Sequence, residues 1–412
     1  MMLSEMNTNN NSTDYRSIRI ISRSCKLIIH YILLIGLFAL TPVYGLPQFA
    51  LLTGNKCITC HINAQGGGLR NFRGWREYSD KSLIKPDRIG LEKLYAHDMK
   101  SNSLFTNRLT LGADFRLQSA RSHNSPESKR RLFPMQAAAY SSARLTGFLD
   151  CEGSYNFGPR KFFGQQKWSA SFIVHPRYSF TQLRIGYFQP SIGVRYDDHT
   201  LLVGQVAGTD GTTIIPVNYA EYGAEVNVNR YKWMTLSAGV FGAKSLEENR
   251  ITGSDGTEIS LIKDSNNPSL LGRVDFRGTR LKGFLNANAG GSFLKNGDFS
   301  LVSLFCGMGF SDRVSVMGNY TISDKKDLRK TKNGMIDITY KVIDSLLLYI
   351  RTERGVTNST FGDVIIETYT NQGAVGTQIF LLPYIELRPE YRMVDTEQFR
   401  STRYAIQLHI FH

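Results

Sequence analysis

Cys57-Ile58-Thr59-Cys60-His61 sets two thiols three residues apart and puts an imidazole directly behind them. This spacing is the attachment signal for c-type haem: the thiols add to the haem vinyl groups, and the histidine is placed to ligate the iron from the proximal side. Two other chemistries use paired cysteines. A structural zinc site needs further Cys or His at ligand spacing, but the next histidine, His97, lies 36 residues beyond His61 and there is no second Cys pair. A redox dithiol needs a strand, a turn and a helix within a βαβ unit. Only a short loop-like stretch, Leu46 to Lys56, precedes Cys57. The leading expectation is therefore one covalent haem c, with zinc and dithiol readings as the alternatives.

Around this motif, residues 46–103 form a segment too short to build a robust core alone. Haem and whatever the segment packs against must supply the missing apolar contacts. Gly66-Gly67-Gly68 offers a stretch without side chains that can pass close to a porphyrin. Arg70 and Arg73 are candidates for the haem propionates, and Trp75 for packing on the ring. The ordinary alternative for all three is a loop or surface position. Within the segment, His97 and Met99 are the candidates for the distal iron ligand. A ligand from elsewhere in the chain, or none, remains open. Methionine would raise the potential relative to a second histidine.

The elements that must hold this site come next. Residues 1–45 read as a secretory signal: Arg16, Arg19, Arg23 and Lys26 precede an apolar run from Leu27 to Leu40. That run of 14 residues is short of the roughly 20 a membrane helix needs. Cys25 lies in this leader, and Cys151 and Cys306 sit in alternating apolar runs as small hydrophobic side chains. The formal charge is +14, or +12 once the four basic and two acidic residues of 1–45 are set aside. The basic residues are scattered, so a basic lumen or contact with anionic lipid headgroups is expected rather than nucleic-acid binding.

Residues 104–412 alternate with period two, the mark of strands with two unlike faces. Leu109, Leu111, Ala113, Phe115 and Leu117 oppose Thr110, Asp114, Arg116 and Gln118. Ile385, Leu387, Pro389 and Tyr391 oppose Glu386, Arg388, Glu390 and Arg392, and Tyr222, Ala224, Val226 and Val228 oppose Glu221, Glu225, Asn227 and Asn229. With 20 Tyr, 24 Phe and 37 Gly, the profile fits an all-β transmembrane antiparallel barrel. Turn signals predict about 16 strands, with both ends on the periplasmic side, tight periplasmic turns and long outer loops. Tyr404, Ile406, Leu408 and Ile410 alternate as a final strand, with Phe411 one place early for a terminal aromatic. The long connection from Pro190 to Asn218 is expected outside the cell. It holds Asp197 and His199, which share a face in extended chain and form a candidate iron entry site; the ordinary alternative is a solvated loop.

Phe49-Ala50, Thr53-Gly54, the CxxCH motif and Phe72 ahead of the barrel resemble the fused monohaem cytochrome c–porins of the bacterial outer membrane. That family includes the iron-oxidising outer-membrane cytochrome. The resemblance lies in residues 49–61 and, beyond them, in architecture. It implies one haem c plugged into a barrel of about sixteen strands in the outer membrane. It also implies electron passage between an extracellular redox partner, with Fe(II) a candidate, and a periplasmic carrier such as a soluble cytochrome. Cys57, Cys60 and His61 match the family's haem-binding residues. The direction of flow stays open. A diffusion porin with a structural or gating haem plug is the alternative of a different class. A haem enzyme such as a peroxidase would need an open sixth position and a distal base.

Overall fold

The computed structural model of the chain describes residues 48–53, 57–62, 66–78, 81–96, 101–123, 130–157, 167–176, 181–196, 200–209, 212–216, 219–248, 250–252, 258–262, 266–280 and 284–412. The leader 1–45, His97, Met99 and the Asp197-Asp198-His199 triplet lie outside these.

Period-two alternation produces strands throughout the main body. They are β1 (Ser103–Leu104), β2 (Leu109–His123), β3 (Arg130–Arg144), β4 (Leu149–Asn156), β5 (Trp168–Val174), β6 (Thr181–Phe188), β7 (Glu221–Val228) and β8 (Met234–Phe241), then the short hairpin β9 (Arg250–Thr252) and β10 (Glu258–Ser260). The second half contributes β11 (Ser269–Arg280), β12 (Leu285–Asn296), β13 (Phe299–Phe310), β14 (Val314–Lys325), β15 (Arg329–Ile343), β16 (Leu346–Phe361), β17 (Val364–Leu382), β18 (Ile385–Thr396) and β19 (Arg400–Phe411). The main sheet has 17 strands. Sixteen form a closed antiparallel ring, with β8 pairing β11 and β19 pairing β2, while β1 adds onto β2 as an extra.

The two faces separate as the sequence pattern requires. Tyr222 is 64 % exposed on the outside, while Glu221 and Glu225 on the same strand are buried in the lumen. Ile336, Ile338 and Tyr340 point outward, and Asp337 and Thr339 point inward. Cys306 lies on the outer face beside Leu304 and Met308. The inner wall is held by ion pairs whose partners sit one or two strands apart or two residues along one strand. Arg351 meets Glu353 at 3.0 Å and Glu390 at 3.3 Å, Arg392 meets Glu390 at 2.6 Å, and Arg184 meets Glu152 at 2.9 Å. Charged side chains shut away from water need such partners.

Connections at one end are tight, as expected: Ser311-Asp312-Arg313, Asp344-Ser345 and Pro383-Tyr384 each join two strands. The expectation of long loops at the opposite end holds only for part of the ring. Residues 297–298, 326–328, 362–363 and 397–399 are turns of two or three residues. Length is concentrated before β11. The β6–β7 connection, expected outside the cell, folds into the lumen instead. Its Leu201, Leu202, Val203, Val206 and Ile214 are too apolar to stay in water, and all are buried. Its backbone is paired by the wall: Ser191 N–H donates to Glu225 at 3.0 Å, Gly193 N–H to Ser292 at 2.7 Å, Leu202 N–H to Glu353 at 2.5 Å and Gly208 N–H to Thr370 at 2.8 Å. Asn333 donates back to the carbonyls of Leu202 and Gln205, both at 2.6 Å. Buried backbone groups need such partners.

The N-terminal segment also enters the ring. It carries α1 (Gln48–Thr53), α2 (Cys57–Cys60), α3 (Phe72–Arg76), a 3-10 turn at Pro86–Ile89 and α4 (Glu92–Ala96). Leu51 packs on Phe305 and Met317, and Leu52 and Trp75 join Leu347, Phe380, Tyr384 and Phe411. The wall therefore supplies the core that this segment lacks. A bulge in β17 between Phe380 and Leu382 frees two carbonyls, which accept from Leu83 N–H at 2.8 Å and Ile84 N–H at 3.1 Å. No helix among the described residues is long and apolar enough to cross a membrane.

An Ile338→Arg substitution sets a cation on the lipid face at mid-strand. It is expected to cost about 2–4 kcal/mol, read by urea unfolding of the refolded barrel in lipid vesicles against the parent.

Candidate functional site

α2 is a single helical turn, so Cys57 and Cys60, at i and i+3, share one face. Its end is fixed by hydrogen bonds: His61 N–H donates to Cys57 O at 2.8 Å and Asn71 N–H to Cys60 O at 3.0 Å. Asn71 caps α3 by accepting from Gly74 N–H at 3.0 Å, and its amide donates to Thr59 O at 3.1 Å. α3 is thereby pressed onto α2. At Gly74 a Cβ would stand 2.0 Å from Cys60 O, so only glycine permits this approach. The chain then returns through Gly66, Gly67 and Gly68, with φ of +78°, +74° and +61°, conformations that glycine adopts without cost. His61 and Arg70 form the bridge that closes this loop.

Cys57, Cys60 and His61 line a cavity of about 160 Å³ inside the lumen. The plug forms one side of it. Arg195, Tyr196 and Leu201 of the inward-folded β6–β7 loop form another, and Met317, Met335, Tyr349 and Arg351 belong to the wall. An adjoining cavity of about 320 Å³ runs along β2 to β6 and shares Gly67, Gly68, Arg116, Arg195, Tyr196 and Leu201 with the first. The donor set fits haem c in chemistry: two thiols on one helical face, an imidazole next to them, thioether and apolar side chains, and several guanidinium groups on the same cavity. Cys57 and Cys60 are not joined in a disulfide. Burial, helped by the Glu77 carboxylate, raises the Cys60 thiol above its ordinary pKa. Among the described residues no three His, Cys, Asp or Glu converge as a metal-binding group.

The other expected residues divide. Arg70 lines the cavity, its guanidinium lying over Phe411 at 4.3 Å and Tyr78 at 5.3 Å. Arg73 is exposed on α3 and does not line the cavity. Trp75 is buried away from it, stacked on Tyr384 at 5.2 Å and edge-on to His412 at 5.8 Å. Phe411 turns inward beneath the plug rather than toward lipid, which accounts for its place one residue early in the last strand. His97 and Met99 are outside the described residues. Arg195, Met317 and Met335 were not singled out from sequence. For the methionines a signal existed, since each stands on the inner, otherwise polar face of its strand. For Arg195, in a connection assigned to the exterior, there was none.

No family model matches the chain, and no curated protein matches its sequence. Solved structures do match. OprB of Pseudomonas putida aligns with 81 % of this chain and 98 % of its own, at TM-score 0.52 and 9 % identity. The outer-membrane channel DcaP of Acinetobacter baumannii aligns with 74 % of this chain and 97 % of its own, at TM-score 0.51 and 10 % identity. Salmonella typhi OmpF, solved with daunomycin, aligns with 75 % of this chain and 99 % of its own, at TM-score 0.50 and 9 % identity. At such identities the likeness is one of fold. The chain is an outer-membrane β-barrel with the architecture of porins and channels, and its apolar outer face is suited to a lipid bilayer.

Gly74→Ala should loosen α3 from α2 and destabilise the plug by about 1–3 kcal/mol. Limited proteolysis is the check: cleavage within residues 57–96 should accelerate while the barrel core stays resistant.

Proposed function

We propose that this barrel carries one haem c on Cys57 and Cys60 within its lumen, with His61 as proximal ligand. Its function would be to pass electrons between an extracellular donor or acceptor, Fe(II) among the candidates, and a periplasmic carrier such as a soluble cytochrome. This makes it a cytochrome–porin of the kind that the motif at residues 49–61 resembles. The observation that carries the reading is the placement of a CxxCH helix on a cavity inside the barrel, between the plug and an inward-folded loop. Bound there, haem c would supply a one-electron centre whose potential follows from its axial ligands, burial and nearby charge.

The chain's own residues do the rest. Residues 66–70 and α3 hold the thiols and His61 in one orientation. Leu51, Phe305 and Met317 shield the Cys57 side with apolar surface. The β6–β7 loop covers the cavity from the interior of the barrel through Val194, Tyr196 and Leu201. Such a lumen limits solute passage, whereas electrons need only an accessible edge at each side.

A second reading, a diffusion porin with a structural or gating plug, is favoured by the fold shared with OprB, DcaP and OmpF. The larger of these two cavities, lined by Arg116, Lys167, Arg184 and Glu152, supports it too.

Two measurements separate the readings. A pyridine haemochrome assay on protein from a host with haem-attachment machinery should give one haem c per chain, lost in Cys57→Ser/Cys60→Ser while the barrel still forms. Full-length protein in planar bilayers should show near-baseline single-channel conductance. A wide open pore without covalent haem would sink the conduit reading and leave the porin.

A further inference from the structure

Arg70, Lys81, Arg116, Arg195, Arg351 and Arg388 all line the cavity beside Cys57 and Cys60. Most have company of known kind. Lys81 pairs with Glu77 at 2.9 Å, Arg116 with Asp114 at 2.8 Å and Arg351 with Glu353 at 3.0 Å, and Arg388 lies over the Tyr349 ring. Arg70 and Arg195 differ. Among the described residues neither has a carboxylate within ion-pairing distance.

Arg195 is half-buried on the loop and spends two N–H groups on neutral carbonyls, Gly66 O at 3.3 Å and Gln189 O at 3.2 Å. A guanidinium has five donors in a planar fork. Arg70, on the plug, lies over Phe411 and Tyr78; such cation–π contact engages the face of the guanidinium and leaves its edge donors for a ligand. The local field adds to the case. Burial, with repulsion from nearby Arg184 added to it, lowers the Arg195 pKa to about 10, still charged at neutral pH. Glu152 and Glu225 offset part of this from beyond contact distance, so the guanidinium lacks a carboxylate in direct contact, the bidentate partner that its geometry matches best. Gly67 makes the arrangement possible: at its Cβ position Arg195 Cδ is only 3.2 Å away, so a side chain there would push the arginine off the plug.

We infer that Arg195 and Arg70 form a carboxylate-binding site spanning the junction of loop and plug. The carboxylates have two possible sources with the same chemistry: the propionates of a haem attached at Cys57 and Cys60, or a free dicarboxylate entering the lumen. The first source rests on the proposed function, and the second does not. In either case the anion adds to the contact that Arg195 already makes with Gly66 O across this junction.

Full-length protein and its Arg195→Gln, Arg70→Gln and Arg195→Lys variants test this, with haem content measured first. In haem-loaded protein, removing either positive charge should lower the midpoint potential, because the oxidised haem is then repelled less, and Arg195→Lys should retain most of the parent value. In haem-free Cys57→Ser/Cys60→Ser protein held in planar bilayers, succinate serves as the probe. If the source is a free solute, Arg195→Gln should weaken succinate block by about tenfold or more and shift ion preference toward cations. A shifted potential assigns the site to propionates. An unshifted potential with weakened block assigns it to a solute. Loss of neither property overturns the site. A preparation with no covalent haem defeats the haem reading alone, and the succinate arm still decides this one.

Discussion

The hydrocarbon core of a membrane offers no water to an unpaired peptide group, and everything else in this molecule follows from how that constraint is met. An open sheet would leave two edges of bare N–H and C=O groups. Here β8 reaches past the β9–β10 hairpin to pair with β11, and β19 pairs with β2, so no edge of the ring is left over. Closure then divides every strand into a lipid side and a lumen side. The alternation that puts Ile336 and Ile338 outside puts Asp337 and Thr339 inside. The lumen is polar because the outside must be apolar.

A polar interior with paired charges is a surface on which irregular chain can settle. The β6–β7 loop uses side chains of Glu225, Ser292, Glu353 and Thr370 as acceptors for its backbone, so a segment of mixed polarity can lie across the lumen with the N–H groups of Ser191, Gly193, Leu202 and Gly208 paired. The plug takes the other option. It is short of core, so it borrows Phe305, Met317, Leu347, Phe380 and Phe411 from wall positions that break the polar pattern. Those apolar interruptions on the lumen face mark where the plug docks. At the bulge in β17 the Phe380 and Leu381 carbonyls accept from Leu83 and Ile84 of the plug.

Between these two inserted segments lies the cavity onto which the CxxCH helix opens. Its position is a consequence of three close approaches: Gly74 on Cys60, Gly66 on Cys57 and Gly67 on Arg195. Each would be blocked by a Cβ or pushed apart by one. The glycine triplet, read from sequence as a stretch that could approach a porphyrin, thus has a further task in joining α2 to the loop.

The sequence alone determined the parts governed by local rules. Period-two alternation and turn residues are properties of neighbours in the chain, so the count of about sixteen strands, their inward and outward faces and the tight turn at Ser311-Asp312-Arg313 were legible, and the turn read at Leu382-Pro383 falls one residue later, at Pro383-Tyr384. Cys57, Cys60 and His61 were legible for the same reason, since their chemistry depends on fixed spacing. What only the tertiary structure decided depends on partners far along the chain. The inward fold of residues 189–196, 200–209 and 212–216 rests on acceptors up to about 160 residues away, as with Gly208 and Thr370. The burial of Trp75 with Tyr384 and His412, the exposure of Arg73, and the meeting of Arg195 with Gly66 have no local signature either. Whether a residue lines the cavity is set by how the closed ring brings plug and loop together, and one-dimensional spacing carries no record of that distance.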